Sequence, residues 1–311
     1  MTSAFIFPGQ GSQAVGMGAA LAEASMHARE VFAQVDAALG EDLSGMMRDG
    51  PAEALTLTRN AQPAIMANAI ATLRVLEREH GVELGQTASF VAGHSLGEYT
   101  ALCAAGALDL ATTARLLRLR GEAMQAAVPV GVGAMAALGI DWEDAVAVAA
   151  EVAEGDVCAA ANDNAPGQVV ISGHRKAVER AIALLKERGV RRAMLLPVSA
   201  PFHCALMQPA AEAMRAALAE AAMAAPVRPV FANVTAAPVS DVDEIKRLLV
   251  EQVTGVVRWR ESVAGMAEAG VTHFVEFGGK VLGGMVRKIV PDARITSVVT
   301  IEDSAALAKE L

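Results

Sequence analysis

Ser95 stands in Gly93-His94-Ser95-Leu96-Gly97. An apolar run, 90–92, precedes this pattern, and a stretch that tolerates a helix, 95 to about 105, follows it. Gly-x-Ser-x-Gly between a strand and a helix describes a nucleophile elbow. The two backbones come so close that only glycine fits two residues either side of the serine. The turn lifts the hydroxyl clear of the sheet and aims the first free amides of the helix at whatever it attacks. The alternative is a plain helix N-cap by Ser95.

A serine nucleophile needs a base within hydrogen-bond reach. Of six histidines, His27 and His80 lie in polar helical segments, His174 caps a helix, and His94 adjoins the nucleophile but should point elsewhere. His203 follows Pro197-Val198-Ser199-Ala200-Pro201-Phe202, a loop that its two prolines stiffen. That places His203 ahead of His273, which opens a strand. No Asp stands out in the order expected of a triad, so a Ser–His dyad oriented by backbone carbonyls is the arrangement to look for. As a base His203 must be neutral, so acylation should fall at low pH through the ordinary histidine value of about 6.5.

Two arginines on one predicted helix, 110–127, differ. Arg118 has Glu122 four residues on and reads as part of a solvated face. Arg120 has Leu116, Leu117, Ala123 and Met124 around it, which places a guanidinium on the apolar face. Such a cation needs an internal carboxylate, a snorkelling path to water, or a substrate carboxylate held bidentately. Pro8-Gly9-Gln10-Gly11-Ser12-Gln13 after a first strand, 4–7, lacks the phosphate-loop Lys-Ser/Thr pair. It reads either as a plain turn or as an amide-rich loop beside the nucleophile. Gln62, before Pro63 at the start of the predicted helix 61–79, reads on its own as solvated.

The elements that must position these groups follow from periodicity. A first long helix is expected over 18–39. Strand 132–138, helix 141–153, strand 157–161, turn 162–167, strand 168–172, helix 175–188 and strand 192–196 run β-α-β-β-α-β, the ferredoxin-like order. Around that insert, strands near 4–7, 90–92, 230–232 and 272–276 alternate with helices, which argues a parallel sheet covered on both faces. The later helices are expected at 204–222, 242–253, 258–269 and 280–289. The expected fold is therefore α/β, an α/β-hydrolase-like core formed by 1–128 and 198–311 with a ferredoxin-like subdomain at 129–197.

With 53% hydrophobic and 20% charged residues, the 311-residue chain can bury a sizeable core. The net charge of -9 argues against nucleic acid as a partner. Cys103, Cys158 and Cys204 show no metal spacing and suit a reducing, cytoplasmic compartment. The N-terminus has no basic n-region, and no run suits a membrane span.

Together the motifs resemble the malonyl-CoA:acyl carrier protein transacylase family over nearly the whole chain. The resemblance rests on Phe7-Pro8-Gly9-Gln10-Gly11-Ser12-Gln13, Gly93-His94-Ser95-Leu96-Gly97-Glu98-Tyr99, Arg120-Gly121 with Met124-Gln125, and Gly133-Ala134-Met135-Ala136-Ala137. Asn162 with Pro166-Gly167-Gln168-Val169-Val170-Ile171-Ser172-Gly173, and Pro201-Phe202-His203 with Leu206-Met207, complete it. The resemblance implies Ser95 as nucleophile and His203 as base, with an oxyanion hole from the amides of Gln10 and Leu96. It implies Arg120 as the malonyl carboxylate's partner, Gln62, Asn162, Met124 and Phe202 as substrate-binding residues, and Gln252 as a backbone carbonyl for His203. It also implies transfer of malonyl from malonyl-CoA to the phosphopantetheine thiol of acyl carrier protein, for fatty-acid synthesis, with polyketide synthesis sharing the chemistry. A monomer needing no cofactor or metal is expected. Phe202 resembles the malonyl-selective members. Gly278-Gly279-Lys280-Val281-Leu282 departs from the family by one residue and a missing proline. The rival readings are a serine hydrolase on the same elbow and a non-catalytic carrier-binding protein.

Overall fold

Ten strands form two sheets in the computed structural model, which describes residues 2–311. In chain order they are β1 (Ser3–Phe7), β2 (Ala88–Gly93), β3 (Gly133–Leu138), β4 (Cys158–Ala165), β5 (Gln168–His174), β6 (Ala193–Leu195), β7 (Val230–Ala232), β8 (Ala237–Val239), β9 (His273–Phe277) and β10 (Arg294–Val298). The larger sheet has the order β10-β9-β1-β2-β7-β8 and is parallel except for the hairpin partner β8. β1 is apolar almost throughout because both its faces are covered. Phe5 and Phe7 join the core on one side, while Ala4 and Ile6 join a second cluster around Trp259 and Phe274 on the other.

Register sets up the site. Phe7 pairs with Gly93, so β1 and β2 end side by side and their following loops emerge together. The chain moves from β1 to one side of the sheet and later returns on the other, and open α/β sheets bind ligands outside the strand ends at such a reversal. The smaller sheet, β4-β5-β3-β6, is antiparallel and carries the helices Trp142–Glu151 and Arg175–Glu187 over its own apolar cluster. This is the β-α-β-β-α-β arrangement expected from the sequence.

Several expected boundaries move. The helix expected over 18–39 breaks into Ala19–Ala24 and Met26–Leu39, since Ser25 takes extended backbone and caps the second piece through Ala28. The second long helix starts at Thr58 rather than 61 and runs to His80, which puts Pro63 inside it. The helix after the nucleophile spans Gly97–Ala104 and starts two residues later than expected. The turn expected over 162–167 shrinks to Pro166 and Gly167, and Asn162, Asp163 and Asn164 belong to β4. Irregular register at Ala160/Asn162 and Asp163/Ala165 accommodates these polar residues. Arg260 pairs with Asp163, and Asn162 bridges to Val257, so β4 is tied to the larger sheet's loops. The stretch expected as helix 204–222 opens with a short 3₁₀ turn, Ala205–Met207, before the helix Gln208–Glu220. β8, β10 and a last helix, Ile301–Ala308, were not anticipated, although Thr300 and Asp303 form a capping box at that helix's start. Among the described residues no helix is long and apolar enough to cross a membrane.

Candidate active site

The elbow forms as its glycines require. A Cβ on Gly93 would lie 1.9 Å from the Gly97 carbonyl group, and one on Gly97 would lie 2.3 Å from the Phe7 carbonyl oxygen. Ser95 is held at φ 53°, a left-handed conformation that a non-glycine residue adopts only when its surroundings over-determine it. Those surroundings are Asn233, whose Oδ1 accepts from the Ser95 amide at 2.8 Å while its Nδ2 donates to the Gly93 carbonyl at 2.7 Å.

His203, at φ 59°, brings Nε2 to 2.8 Å from Ser95 Oγ. Its Nδ1 faces the carbonyls of Gln252 at 2.8 Å and Gly255 at 3.1 Å. Carbonyl oxygens only accept, so Nδ1 carries the proton and Nε2 presents its lone pair to the serine hydroxyl. No carboxylate takes part. Burial, followed by the neighbouring Arg120 charge, pushes His203 down to about 3; the two carbonyls oppose this only in part. The expectation of an ordinary histidine near 6.5 is therefore corrected: the imidazole is a neutral base throughout the physiological range.

Arg120 is 2% exposed. Its Nη1 donates to Gln62 Oε1 at 2.8 Å, and its Nη2 donates to Gln252 Oε1 at 2.8 Å and to Ser95 Oγ at 3.2 Å. Its Nε has no acceptor, and its Cζ lies 5.7 Å from the centre of the Tyr99 ring. Burial pulls its pKa below the usual arginine range. Every acceptor it has is neutral, so one buried cation stands beside the nucleophile with no carboxylate paired to it among the described residues. Gln62, 1% exposed, is not solvated as its isolated context suggested. Gly121 explains the contact: a Cβ there would lie 2.6 Å from Arg59 Cα, so the two helices touch and Gln62 meets Arg120.

One cleft of about 320 Å³ contains most of the residues singled out in the sequence. Ser95, His203, Gln10, Leu96, Arg120, Gln62, Asn162, Met124 and Phe202 all line it. Gln252 lies behind it. The backbone hydrogen bonds that fix the two turns leave the amides of Gln10 and Leu96 unused. A separate cavity of about 400 Å³ around Met17, Phe32 and Met47 shares no residue with the cleft. Val281 and Leu282 reach the cleft from the shortened Gly278-Gly279 loop. The buried Glu276 carboxylate gathers that loop by accepting from the amides of Val281, Leu282 and Gly283 at 2.8, 2.9 and 3.0 Å. No group of three or more potential metal ligands occurs among the described residues.

Sequence reasoning passed over four residues. Asn233 holds the elbow. Asn164 Oδ1 meets His94 Nε2 at 2.7 Å and turns that ring away from Ser95 Oγ. Tyr99 lies against Arg120, and burial raises its phenol well above the usual range. Glu98 lies beneath the elbow, where burial pushes its carboxyl up to about 7 against the hydrogen bonds it accepts. Glu98 and Tyr99 stand inside the quoted nucleophile motif, and their burial was the part left unread.

A serine and a neutral histidine at an elbow, with unused amides and an arginine in the same cleft, define an acyl transferase, and the acyl transferase domain model matches residues 4–279. The malonyl CoA-acyl carrier protein transacylase of Escherichia coli (strain K12) is 46% identical over 310 residues, 99% of each chain. The crystal structure of the acyl-carrier-protein-S-malonyltransferase from Bartonella henselae matches with a TM-score of 0.97 at 52% identity, over 100% of this chain and 99% of that one. A malonyl-transacylase solved in complex with its type II PKS acyl-carrier protein matches at 0.96 and 40% identity over 100% of both. The chain belongs to the malonyl CoA-acyl carrier protein transacylase family.

Proposed function

We propose that this chain transfers malonyl from malonyl-CoA to the phosphopantetheine thiol of acyl carrier protein, through a malonyl-serine on Ser95, in the supply of extender units for fatty-acid synthesis. The observation that carries the reading is the buried Arg120 guanidinium, 3.2 Å from Ser95 Oγ and, among the described residues, in no ion pair with a carboxylate. A thioester whose acyl group ends in a carboxylate can reach both groups at once.

In the first half-reaction Ser95 Oγ attacks the thioester carbonyl as its proton passes to His203 Nε2. The amides of Gln10 and Leu96 receive the oxyanion; one such donor is worth about 3 kcal/mol. The carbon–sulfur bond breaks and His203 returns the proton to the departing coenzyme A thiolate. In the second half-reaction His203 takes the proton of the carrier thiol as sulfur attacks the malonyl ester, and then gives it to Ser95 Oγ. Gln252 holds the imidazole through its carbonyl, while Gln62, Asn162, Met124 and Phe202 shape the acyl site. This scheme needs no metal or cofactor. We propose a monomer with two lobes, 1–128 with 198–311 and 129–197, the cleft lying where they meet.

Intact-protein mass spectrometry after mixing with malonyl-CoA tests the reading. One added malonyl group is expected, absent in Ser95→Ala and removed by carrier protein. An adduct on Ser95→Ala, or one that water discharges as fast as carrier protein does, overturns it.

A further inference from the structure

A single carboxylate oxygen lies behind the elbow and touches both residues that hold it. Glu98 is in the first turn of the helix Gly97–Ala104, three residues past the nucleophile, and is fully buried. Its Oε2 accepts from Gln252 Nε2 at 2.8 Å and from the Asn233 backbone amide at 3.0 Å. Gln252 Nε2 also donates to the Ser95 carbonyl at 2.9 Å. Asn233 Oδ1 receives the Ser95 amide. The nucleophile's own amide and carbonyl are thus both held by residues that Glu98 holds.

The consequence reaches Arg120. A glutamine amide can present either its oxygen or its nitrogen to a neighbour, and only the surrounding donors and acceptors decide which. Here two acceptors, Glu98 Oε2 and the Ser95 carbonyl, take the Nε2 end. Gln252 Oε1 is left facing Arg120 Nη2 at 2.8 Å, and the same residue's backbone carbonyl takes the His203 Nδ1 proton. With the amide turned round, two donors would face each other across a buried gap, and the guanidinium would lose one of its two amide acceptors.

We propose that Glu98 is the positioning residue of this site: by reach, it fixes the side-chain amide of Gln252 and the backbone of Asn233, and through them sets Arg120 and Ser95. Glu98 touches no substrate. Burial pushes its carboxyl up to about 7, and either protonation state can accept these two bonds. The charged group that bears on it is Arg120, from the facing helix; burial keeps the phenol of its neighbour Tyr99 neutral. Reach rather than charge is what the two states share.

The inference rests on the malonyl-loading reading, and its test separates the two. Single-turnover malonyl loading is measured by quenched intact-protein mass spectrometry, with folding checked by thermal melting. A wild-type protein that takes no malonyl fails the functional reading; ratios among variants test Glu98. Glu98→Gln keeps the reach without the charge and is expected to load close to the wild-type rate. Glu98→Asp keeps the charge but draws the acceptor back by one methylene, and is expected to load about 100-fold more slowly, the scale of a misplaced catalytic group. In a Gln252→Ala background the Asp change is expected to cost less than it does in wild type, since the route through that side chain is gone and only the Asn233 route remains. A Glu98→Gln protein as slow as expected of Asp overturns the proposal even if Glu98→Asp does not fold. So does a Glu98→Asp protein that loads as fast as wild type, or one whose loss is undiminished without Gln252.

Discussion

Arg118 and Arg120 lie two residues apart on the helix Leu110–Ala126, and each donates to an amide side chain of the helix Thr58–His80. Arg118 Nη1 meets Asn60 Oδ1 at 2.6 Å, and Arg120 Nη1 meets Gln62 Oε1 at 2.8 Å. Both are buried, and burial lowers the pKa of both. The difference lies in the counter-charge. Arg118 pairs with Glu41 at 2.9 Å, at the rim, where Arg59 joins Glu41 to Glu122. Arg120 donates only to neutral acceptors and lies against the face of Tyr99; the Glu98 carboxyl bears on it without forming an ion pair. A buried cation without an ion pair is costly, so Arg118 has its counter-charge within the fold while the cleft arginine is poised for an anion. The same residue type, one half-turn round the helix, serves packing in one place and recognition in the other.

The strongest way to break that comparison is to remove Arg120. Arg120→Ala is expected to cost malonyl loading about 2–5 kcal/mol, or roughly 30-fold to several thousand-fold in kcat/KM. Loading from acetyl-CoA, which brings no carboxylate, should change little or rise. Arg120→Lys should recover part of the malonyl activity, having the charge without the planar fork. Steady-state kcat/KM for both thioesters decides it. A parallel fall for malonyl and acetyl would make Arg120 structural, like its neighbour.

Removing Arg118 should give the opposite pattern. Arg118→Ala leaves Asn60 and Glu41 without their buried donor, and is expected to lower folding stability by about 1–3 kcal/mol in urea. The ratio of malonyl to acetyl loading should stay at its wild-type value. A changed ratio with unchanged stability would erase the distinction.

The two arginines also show what the sequence can and cannot disclose. The apolar neighbours of Arg120 betray its burial because helical spacing is local. For Arg118 the same local logic misleads: Glu122 lies four residues on, yet it pairs with Arg59, and the partner of Arg118 is Glu41 from a distant segment. The elbow was legible because the clash that demands Gly93 and Gly97 arises within five residues and a neighbouring strand. The insert was legible because period-2 and period-3.6 patterns alternate cleanly. Asn162-Asp163-Asn164 reads as a turn in isolation; pairing with β5 makes it a strand, and Arg260 and His94 take up the side chains of Asp163 and Asn164. Glu98, Asn233 and the Gln252 side chain were opaque for the same reason, since their bonds join residues 135 to 157 positions apart.

The smallest effect sharpens the comparison most, because it separates the two charges by what they do to His203. The imidazolium is disfavoured first by burial and next by Arg120, while the carbonyls of Gln252 and Gly255 favour it. Arg118 is not among the groups that bear on it. Loading requires neutral His203, which is present above its pKa and lost as pH falls through it. With that pKa held to about 3, loading by the wild-type enzyme should stay flat from pH 8 to pH 5, with no step near the usual histidine value of about 6.5. Taking away the Arg120 charge removes one of the two chief depressing causes, so the pKa rises. Burial persists, so it does not return to the ordinary value. In Arg120→Ala, acetyl loading should therefore begin to fall at a higher pH than in wild type, whereas in Arg118→Ala the profile should overlay the wild-type curve. The measurement is the single-turnover acetyl loading rate across pH 4 to 8, using acetyl-CoA so that no substrate carboxylate adds its own negative charge beside His203. Equal shifts in both variants, or none in Arg120→Ala, would mean that Arg120 does not set the base, and its role would reduce to holding the substrate.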